Sequence, residues 1–242
     1  MPITARAVPI LSDNYAWLLH DEGSGKVAIV DPADAKACIA AIEQDGGKLD
    51  LILITHHHDD HIAGVDEVRA KYGAKVVGAT ADQRRLPKLD QQVVEGDTVQ
   101  FGDSKFEVID TPGHTRGHIS YFTPDGDVLL CADTLFSLGC GRLLEGTAQE
   151  MFDSLQKLAK LPDDTLVCCG HEYTQSNARF AVTVEPDNAA LAERKAEVDR
   201  LRAAGQPTVP TRLGAVKAEN PFLRAKTADD LARIRTAKDN FK

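Results

Sequence analysis

The sequence predicts a layered α/β fold, in which short strands alternate with helices and pack as two sheets flanked by helices. Three observations support this prediction. A series of short apolar runs, each bounded by turn residues, fills the first two thirds of the chain. Segments with the apolar spacing of an amphipathic helix lie between some of these runs. From about Glu172 onwards the pattern changes to helices alone.

The apolar runs predict strands, and the helical spacing predicts helices between them. The predicted strands are residues 6–10, 16–19, 27–30, 51–54, 75–78, 106–109, 118–122, 128–131 and 166–169. The predicted helices in the same part of the chain are residues 35–44, 62–72 and 148–160.

The last part of the chain predicts a small helical domain. Residues 174–184 and 188–204 have helical spacing, and Gly205 ends the second of these helices. A last helix contains Leu231 and Ile234, and Thr227 begins a capping pattern ahead of it. We therefore expect a first domain of residues 1–171 and a small helical domain of residues 172–242.

The charge is distributed unevenly. The formal net charge of the 242 residues is −9, with −12 on residues 1–171 and +3 on residues 172–242. This acidic balance argues against a nucleic-acid partner, because phosphate binding depends on clustered cations. The basic last part could bind a small anion, or its charges could be solvated helix faces.

The number and spacing of the cysteines, the character of residues 1–13 and the short apolar runs together predict a cytoplasmic protein. The five cysteines are an odd number and include no Cys-x-x-Cys pair, which favours reduced thiols over a disulfide framework. Residues 1–13 do not resemble a signal peptide. No apolar stretch approaches membrane-spanning length, so no membrane association is expected.

Residues 55–61 are the most informative part of the sequence. They read Thr-His-His-His-Asp-Asp-His and follow the apolar run 51–54 directly. His56 and His58 are two residues apart, so on extended backbone they point the same way. A turn into a helix would bring Asp60 and His61 towards the same space. Imidazole and carboxylate ligands suit zinc, iron or manganese, and the alternative is a polar loop.

Polar side chains recur at the ends of other predicted strands. His114 follows the run 106–109, Asp133 follows 128–131, and His171 follows 166–169. Asp31 follows the run 27–30. Loops at strand ends are where rigid scaffolds carry functional groups. Any one of these residues alone would more commonly be structural, but packing does not explain the joint pattern.

Together these motifs resemble those of the metallo-β-lactamase superfamily, whose metal motif is His-x-His-x-Asp-His with a later His, Asp and His. Other segments narrow the resemblance to the glyoxalase II (hydroxyacylglutathione hydrolase) family, namely residues 111–119, 139–147, 170–174, 220–224 and 235–241. The resemblance extends over essentially the whole chain. It implies an αββα metallo-β-lactamase-type sandwich with a small C-terminal helical domain. Residues 1–171 would then be the catalytic domain, and residues 172–242 would be a substrate-binding domain.

The resemblance also implies two divalent metal ions per chain. The expected ligands are His56, His58 and His114 for one ion, Asp60, His61 and His171 for the other, and Asp133 as a bridge between them. A carboxylate has two oxygens and can span ions roughly 3.5–4 Å apart. The resemblance also implies that Asp60 and Asp133 are catalytic residues. Zinc is the expected metal, and iron and manganese are the alternatives.

The reaction implied by the resemblance is hydrolysis of S-(2-hydroxyacyl)glutathione, such as S-D-lactoylglutathione to D-lactate and glutathione, by a hydroxide bound to two metals. A thiol with a pKa of about 8.5 leaves without a strong acid. No Gly-x-Ser-x-Gly elbow offers a competing nucleophile. The expected partner is this small-molecule thioester, and the chain is expected to be a monomer.

The residues expected to bind this substrate are Arg142, Tyr173, Arg235 and Lys238. Arg235 and Lys238 are three residues apart and would share a helix face, where they could clamp the glycine carboxylate of glutathione. The alternative for each is a surface charge or a half-buried aromatic ring.

Asp31 is expected to hydrogen-bond a ligand imidazole and fix its tautomer, although a strand-end turn with Pro32 would also explain it. The sequence departs from the family at Leu144, where an aromatic residue is common, and at Ala63, where glycine is common. His20, His57 and His118 have no assigned role, and His57 and His118 are expected to be structural.

Two other functions are compatible with the metal motif. One is a persulfide dioxygenase with a single iron on the same fold, which needs fewer ligands than the sequence offers. The other is a metal-binding module without catalysis.

Overall fold

The computed structural model describes residues 3–241, and the chain divides into two units. The first unit comprises residues 3–110 and 117–131, and the second comprises residues 111–116 and 132–241. The predicted boundary after residue 171 stays a prediction.

The first unit contains most of the strands. They are β1 (Ile3–Ile10), β2 (Asn14–Asp21), β3 (Lys26–Val30), β4 (Leu51–Leu53), β5 (Lys75–Ala79), β6 (Gln91–Val93), β7 (Thr98–Phe101), β8 (Ser104–Asp110), β9 (Ile119–Thr123) and β10 (Val128–Ala132), whose last residue belongs to the second unit. Strands β1 to β6 form one sheet in sequence order, antiparallel from β1 to β3 and parallel from β3 to β6. Strands β7 to β10 form antiparallel pairs in a second sheet.

The first sheet is covered by α1 (Ala35–Gln44) and α3 (Val65–Tyr72). The parallel strands β3, β4 and β5 are largely apolar and buried, as expected for strands covered on both faces, whereas β6 at the edge carries two exposed glutamines. Ile52 of β4 and Ile29 of β3 are fully buried in this core. On the other face, the Tyr121 hydroxyl of β9 donates a hydrogen bond of 3.0 Å to the Ile54 carbonyl oxygen. Burial raises the pKa of Tyr121 well above its ordinary value, with a smaller contribution from Asp31.

The predicted helix over residues 62–72 is wrong at its beginning. A short helix, α2 (Asp59–Ile62), is followed by a break at Ala63 and Gly64, and α3 begins at Val65. A Cβ atom on Gly64 would lie 2.4 Å from the Pro32 carbonyl oxygen. The chain therefore passes too close to the loop after β3 for a side chain at this point. Helix α3 ends at Tyr72, as predicted, and the following Gly73 adopts a φ of 68°.

The second unit holds short strands and most of the helices. Its elements are β11 (Leu135–Phe136), β12 (Gly139–Cys140), α4 (Ala148–Leu158), β13 (Leu166–Cys169), α5 (Thr174–Val184), α6 (Ala189–Ala203), β14 (Thr211–Arg212), α7 (Leu213–Glu219) and α8 (Ala228–Asp239). The predicted helices of this part are confirmed. Capping by Thr147, Asn188 and Thr227 begins α4, α6 and α8, because each side chain accepts a backbone N–H of the first turn.

The hairpin of β11 and β12 is held by Asn220, a buried residue of the C-terminal part. Its Nδ2 donates to the carbonyl oxygens of Phe136 and Gly139, at 3.1 and 2.9 Å. Its Oδ1 accepts the backbone N–H of Phe222 at 3.0 Å. One side chain thus fixes the entry to the loop that follows β12.

The cysteines are all buried thiols, and burial raises the pKa of Cys169 to about 12. Cys131 of β10 and Cys168 and Cys169 of β13 lie in the buried core of their strands. Among residues 3–241, no helix combines the length and the apolar character needed to cross a membrane.

Candidate active site

The first unit gathers histidines and a carboxylate at the carboxyl ends of its parallel strands. His56 and His61 are each 1% exposed, and their ring centroids lie 4.2 Å apart. One ring nitrogen of His56, one ring nitrogen of His61 and a carboxylate oxygen of Asp31 all lie within 4.8 Å of one another. Nε2 of His56 lies 3.2 Å from Nδ1 of His58, where the extended backbone enters α2. The His56 and His58 side chains therefore lie together, as their two-residue spacing predicted.

Asp31 lies beneath this cluster in a restrained conformation. Its φ is 50°, which is rare for a residue with a side chain but more common for aspartate than for most residues. Its carboxylate accepts the backbone N–H of Thr55 at 2.9 Å and the Thr55 hydroxyl at 2.6 Å. Nδ1 of His61 lies 3.0 Å from the same carboxylate. Because a carboxylate only accepts, Nδ1 of His61 carries the proton and Nε2 carries the lone pair.

The Thr55 hydroxyl orients the His56 imidazole through a hydrogen bond. The hydroxyl has one proton, and donation to Asp31 leaves its oxygen to accept a hydrogen bond from Nδ1 of His56 at 3.0 Å. The lone pair of His56 is then also on Nε2. Asp31 and Thr55 together fix the tautomers of two histidines, as is usual for metal-binding imidazoles.

Asn14 is a site residue that the sequence analysis missed. Its Nδ2 donates to a carboxylate oxygen of Asp60 at 3.0 Å and to the Asp60 carbonyl oxygen at 3.1 Å. The Asp60 carboxylate lies 3.8 Å from Nε2 of His61. Asn14 begins β2, 46 residues before Asp60. No local spacing could have indicated this contact.

The expected structural roles of His57 and His118 are consistent with their contacts. Nδ1 of His57 lies 3.1 Å from the buried carboxylate of Asp82, which also accepts a hydrogen bond of 2.6 Å from Arg85. The His118 ring stacks on the ring of His56, with the centroids 4.7 Å apart. The centroid of the His57 ring also lies 4.8 Å from that of the His58 ring, so both rings pack around the histidine cluster.

The second unit carries an acidic and imidazole group centred on Asp133. One carboxylate oxygen lies 3.4 Å from Nε2 of His114, and the other lies 3.3 Å from Nε2 of His171. All three side chains are buried, with exposures of 3–6%. The preceding residue, Ala132, has a φ of 35°, so the backbone turns sharply where β10 ends. Asp133 thus presents each oxygen to a different imidazole.

The loop after β12 packs directly on this group. Nδ1 of His114 donates to the Arg142 carbonyl oxygen at 2.9 Å, which leaves the lone pair on Nε2. A Cβ atom on Gly141 would lie 2.0 Å from the Asp133 carbonyl oxygen and 3.1 Å from the His114 ring. Only glycine allows the loop to approach both residues this closely.

His171 is held by a backbone contact and by aromatic packing. The neighbouring Gly170 N–H donates to the Ala132 carbonyl oxygen at 3.0 Å. The His171 ring stacks on Tyr173 at 4.5 Å, with the ring planes only 5° apart. Tyr173 in turn makes an edge-to-face contact with Phe136 at 5.4 Å. Tyr173 is 37% exposed, so one edge of its ring faces solvent.

A cavity of about 440 Å³ opens beside His114 and Asp133 within the second unit. Its lining includes all four predicted substrate-binding residues, Arg142, Tyr173, Arg235 and Lys238. The carboxylate of Asp239 and the ring of Phe241 also line it. We call this cavity the α8 pocket, because Arg235, Lys238 and Asp239 all belong to that helix. Three cations beside a buried acidic group make it suited to an anionic ligand.

Lys238 and Arg235 differ in their surroundings. Nζ of Lys238 donates to the hydroxyl and the carbonyl oxygen of Ser176, at 2.9 and 3.1 Å. Partial burial and the charges of Arg235 and Arg142 lower the pKa of Lys238. Arg235 is only 6% exposed, and its guanidinium hydrogen-bonds to Asp239 and to the Cys140 carbonyl oxygen. The shared helix face is therefore present, but the two cations have different partners.

Leu144, the departure noted in the sequence, lies on the loop before α4. Its side chain is 59% exposed, and its backbone N–H donates to the His114 carbonyl oxygen at 3.3 Å. The backbone contact does not depend on an aromatic side chain.

Comparison with known proteins identifies both parts of the chain. Residues 11–171 match the model of the metallo-beta-lactamase superfamily, and residues 172–241 match that of the hydroxyacylglutathione hydrolase C-terminus. The chain is 56% identical to a hydroxyacylglutathione hydrolase of Acidiphilium cryptum (strain JF-5), over 98% of this chain and 97% of that one. It is 51% identical to that of Ruegeria pomeroyi (strain ATCC 700808 / DSM 15171 / DSS-3), over the full length of both.

Solved structures confirm the predicted fold class. The crystal structure of ETHE1 from Myxococcus xanthus superimposes with a TM-score of 0.73 at 26% identity, covering 99% of this chain and 92% of that one. The structure of TTHA1623 in a di-iron-bound form has a TM-score of 0.60 at 26% identity, covering 69% of this chain and 91% of that one. The fold is of the metallo-β-lactamase type with a C-terminal helical region. The chain belongs to the hydroxyacylglutathione hydrolase (glyoxalase II) family of the metallo-β-lactamase superfamily.

Proposed function

We propose that this protein hydrolyses the thioester bond of S-(2-hydroxyacyl)glutathione, with S-D-lactoylglutathione giving D-lactate and glutathione. The observation that carries the proposal is identity of 56% and 51%, over nearly the whole chain, to two proteins named hydroxyacylglutathione hydrolase. The α8 pocket supports it, because its cations adjoin the acidic and imidazole group of Asp133. Glutathione carries carboxylates that such cations can bind.

The donor set fits transition-metal ions. His56, His61 and His114 each direct Nδ1 to an oxygen acceptor, which leaves Nε2 as the coordinating atom. The other donors are carboxylate oxygens and further imidazoles. This combination suits zinc, iron and manganese better than the all-oxygen preference of magnesium or calcium. We propose zinc as the resident metal.

We propose the ligand division that the family resemblance implies: His56, His58 and His114 for one ion, Asp60, His61 and His171 for a second, and Asp133 shared by both. The two Asp133 oxygens, each near a different imidazole, support the shared role. The di-iron form of TTHA1623 supports two ions. When bound, such ions lower the pKa of a water towards about 7 and polarise a carbonyl group.

The protein's own residues bind and orient the substrate in this proposal. Lys238 and the exposed guanidinium of Arg142 attract the anionic glutathione moiety into the α8 pocket. The Tyr173 ring, stacked on His171, closes one side of the pocket near the acyl group. The leaving thiol has a pKa of about 8.5, so no strong acid is needed to protonate it as it departs.

We also propose a cytoplasmic monomer whose catalytic domain ends at residue 171. The buried thiols support a reducing compartment. The two family models meet between residues 171 and 172, which supports the domain boundary. The net charge of −9 supports a small-molecule partner over a nucleic acid.

The proposal is tested by thiol release from S-D-lactoylglutathione, with protein whose metal content has been measured by elemental analysis. We expect rapid release that depends on bound metal. Oxygen uptake with glutathione persulfide is measured on the same preparation, and we expect none. Uptake of oxygen without thioester hydrolysis would favour a persulfide dioxygenase. Bound metal with neither activity would favour a metal-binding module.

A further inference from the structure

Arg235 on α8 is committed to contacts within the protein. Its Nη1 donates a buried hydrogen bond of 2.8 Å to the Cys140 carbonyl oxygen, 95 residues away in sequence. Its Nε and Nη2 donate to one oxygen of Asp239, at 3.1 and 2.8 Å. Its guanidinium carbon lies 5.2 Å from the centre of the Phe222 ring. The planar guanidinium is therefore held on two edges and one face.

Asp239 fixes the orientation of this guanidinium. It lies four residues after Arg235 on the same helix, so its carboxylate reaches the side of the guanidinium that Cys140 does not occupy. The Asp239 carboxylate also lies 3.9 Å from Nε of Arg142. Because the Arg142 side chain is 72% exposed, we assign that longer contact little weight.

The segment that Arg235 holds, residues 140–142, bears on the proposed metal ligands. Its first residue supplies the carbonyl oxygen that accepts from Arg235. Its second residue, Gly141, lies against the Asp133 backbone and the His114 ring. Its third residue supplies the carbonyl oxygen that accepts from Nδ1 of His114 at 2.9 Å. A shift of this segment would therefore rotate the His114 imidazole.

We propose that Arg235 and Asp239 are positioning residues that hold segment 140–142 and, through it, orient the His114 imidazole. These contacts connect α8, the helix that lines the α8 pocket, to a proposed metal ligand. It differs from a role in which Arg235 only binds the substrate carboxylate. The inference rests on the proposed function in one respect, namely that His114 is a metal ligand.

The test uses two variants and two matched controls of the full-length protein. In Arg235→Lys, an ammonium group replaces the planar guanidinium. It cannot reproduce the hydrogen bonds that two edges of the guanidinium make to Asp239 and to the Cys140 carbonyl oxygen. In Asp239→Asn, the side chain keeps its size but loses the charge that aims the guanidinium. Arg233→Lys controls for the first, since Arg233 is a 71% exposed residue of the same helix. Asp199→Asn controls for the second, since Asp199 closes an i,i+4 ion pair with Lys195 on α6.

Three properties are measured for each protein: zinc affinity by competition with a chromophoric chelator, the visible spectrum of the cobalt-substituted form, and kcat with a neutral thioester that lacks the glycine carboxylate. We expect Arg235→Lys and Asp239→Asn to weaken zinc binding roughly 10–100-fold, as is typical when a group behind a ligand is lost. We expect the cobalt spectrum to change and kcat for the neutral thioester to fall. The two controls should match the parent.

The positioning role is overturned if both variants keep the parent's zinc affinity and cobalt spectrum while only KM for the glutathione thioester rises. If Arg235→Lys fails to fold, as judged by thermal unfolding, Asp239→Asn decides alone, because its side chain is 42% exposed and tolerates the change. Should the parent bind zinc without hydrolysing glutathione thioesters, the proposed function fails. Weakened zinc binding in the variants would then still support the positioning role.

Discussion

Asp133 is the single residue on which the proposed metal centre most depends. Its two buried oxygens face His114 and His171 at 3.4 and 3.3 Å. Asp133→Ala should lose metal and thioesterase activity together, and the activity loss should exceed the roughly 100-fold typical of residues behind the ligands. Elemental analysis should find about two ions per chain in the parent and fewer in the variant. An active variant with full metal content would contradict the shared role.

Cys140 lines the α8 pocket beside the proposed ligands His114 and Asp133. Burial raises its pKa to about 11, even though Arg235 opposes the shift, so it is a protonated thiol at neutral pH. A protonated thiol is a poor nucleophile. Cys140→Ser should therefore keep kcat within a few-fold of the parent. A single turnover in oxygen-18 water should label the acid product, whereas an acyl adduct on Cys140 in the mass spectrum would contradict hydrolysis without a covalent intermediate.

Lys238 is the cation of α8 best placed for the substrate, since its partners are neutral groups of Ser176. Lys238→Ala should raise KM about 10- to 150-fold with little change in kcat, which corresponds to about 1.5–3 kcal/mol for a charge-assisted contact. Metal content should not change. Lys226→Ala, at an exposed lysine before α8, is the matched control. Equal KM values for the Lys238 variant and the parent would show that Lys238 is a solvated charge.

The lowered pKa of Lys238 gives this contact a pH dependence. Burial, Arg235 and Arg142 all disfavour its charged form, so the ammonium loses its proton at a lower pH than an ordinary lysine. As pH rises through that pKa, the cation is lost and KM for the glutathione thioester should rise. The rise should begin below the ordinary lysine pKa of about 10.4 and be absent in Lys238→Ala. KM for a neutral thioester should not follow this profile.

At the scale of elements, helix caps can be tested apart from catalysis. Thr147 forms a capping box with Glu150 at the beginning of α4: its hydroxyl accepts the Glu150 N–H at 3.2 Å, and the Glu150 carboxylate accepts the Thr147 N–H at 2.7 Å. Thr147→Ala should lower the free energy of unfolding by about 1 kcal/mol, measured by urea denaturation, without changing metal content. The control is Thr183→Ala, whose hydroxyl bonds inside α5 instead of capping it. Equal losses in both variants would contradict a specific capping effect.

At the scale of the whole molecule, the proposed metal ions should stabilise the fold. The seven proposed ligands are spread from His56 to His171, so an unfolded chain offers no preformed site. Removing the metal with a chelator should lower the midpoint of thermal unfolding, and adding zinc back should restore it. A site held at a thousand times its Kd contributes about 4 kcal/mol. An unchanged midpoint after verified metal removal would show that the fold does not depend on the ions.

The sequence by itself determined the features that arise from local spacing. The predicted helices 35–44 and 174–184 were confirmed at both ends, because the 3.6-residue period acts within a few residues. The period-two spacing of His56 and His58 likewise predicted their proximity. By contrast, β11, β12 and β14 have two residues each, too few to show any period.

Only the tertiary structure decided which distant groups share a contact. Asn14 meets Asp60 across 46 residues, and Arg235 meets Cys140 across 95. The sequence indicated that Arg235 is a cation on the same helix face as Lys238, but that pattern is equally compatible with a substrate carboxylate and a backbone carbonyl as its partner. The partner follows from packing, since Asp239 and the Phe222 ring turn the guanidinium towards segment 140–142. Periodicity constrains neighbours along one element, whereas contacts between elements depend on the shapes and charges that folding brings together.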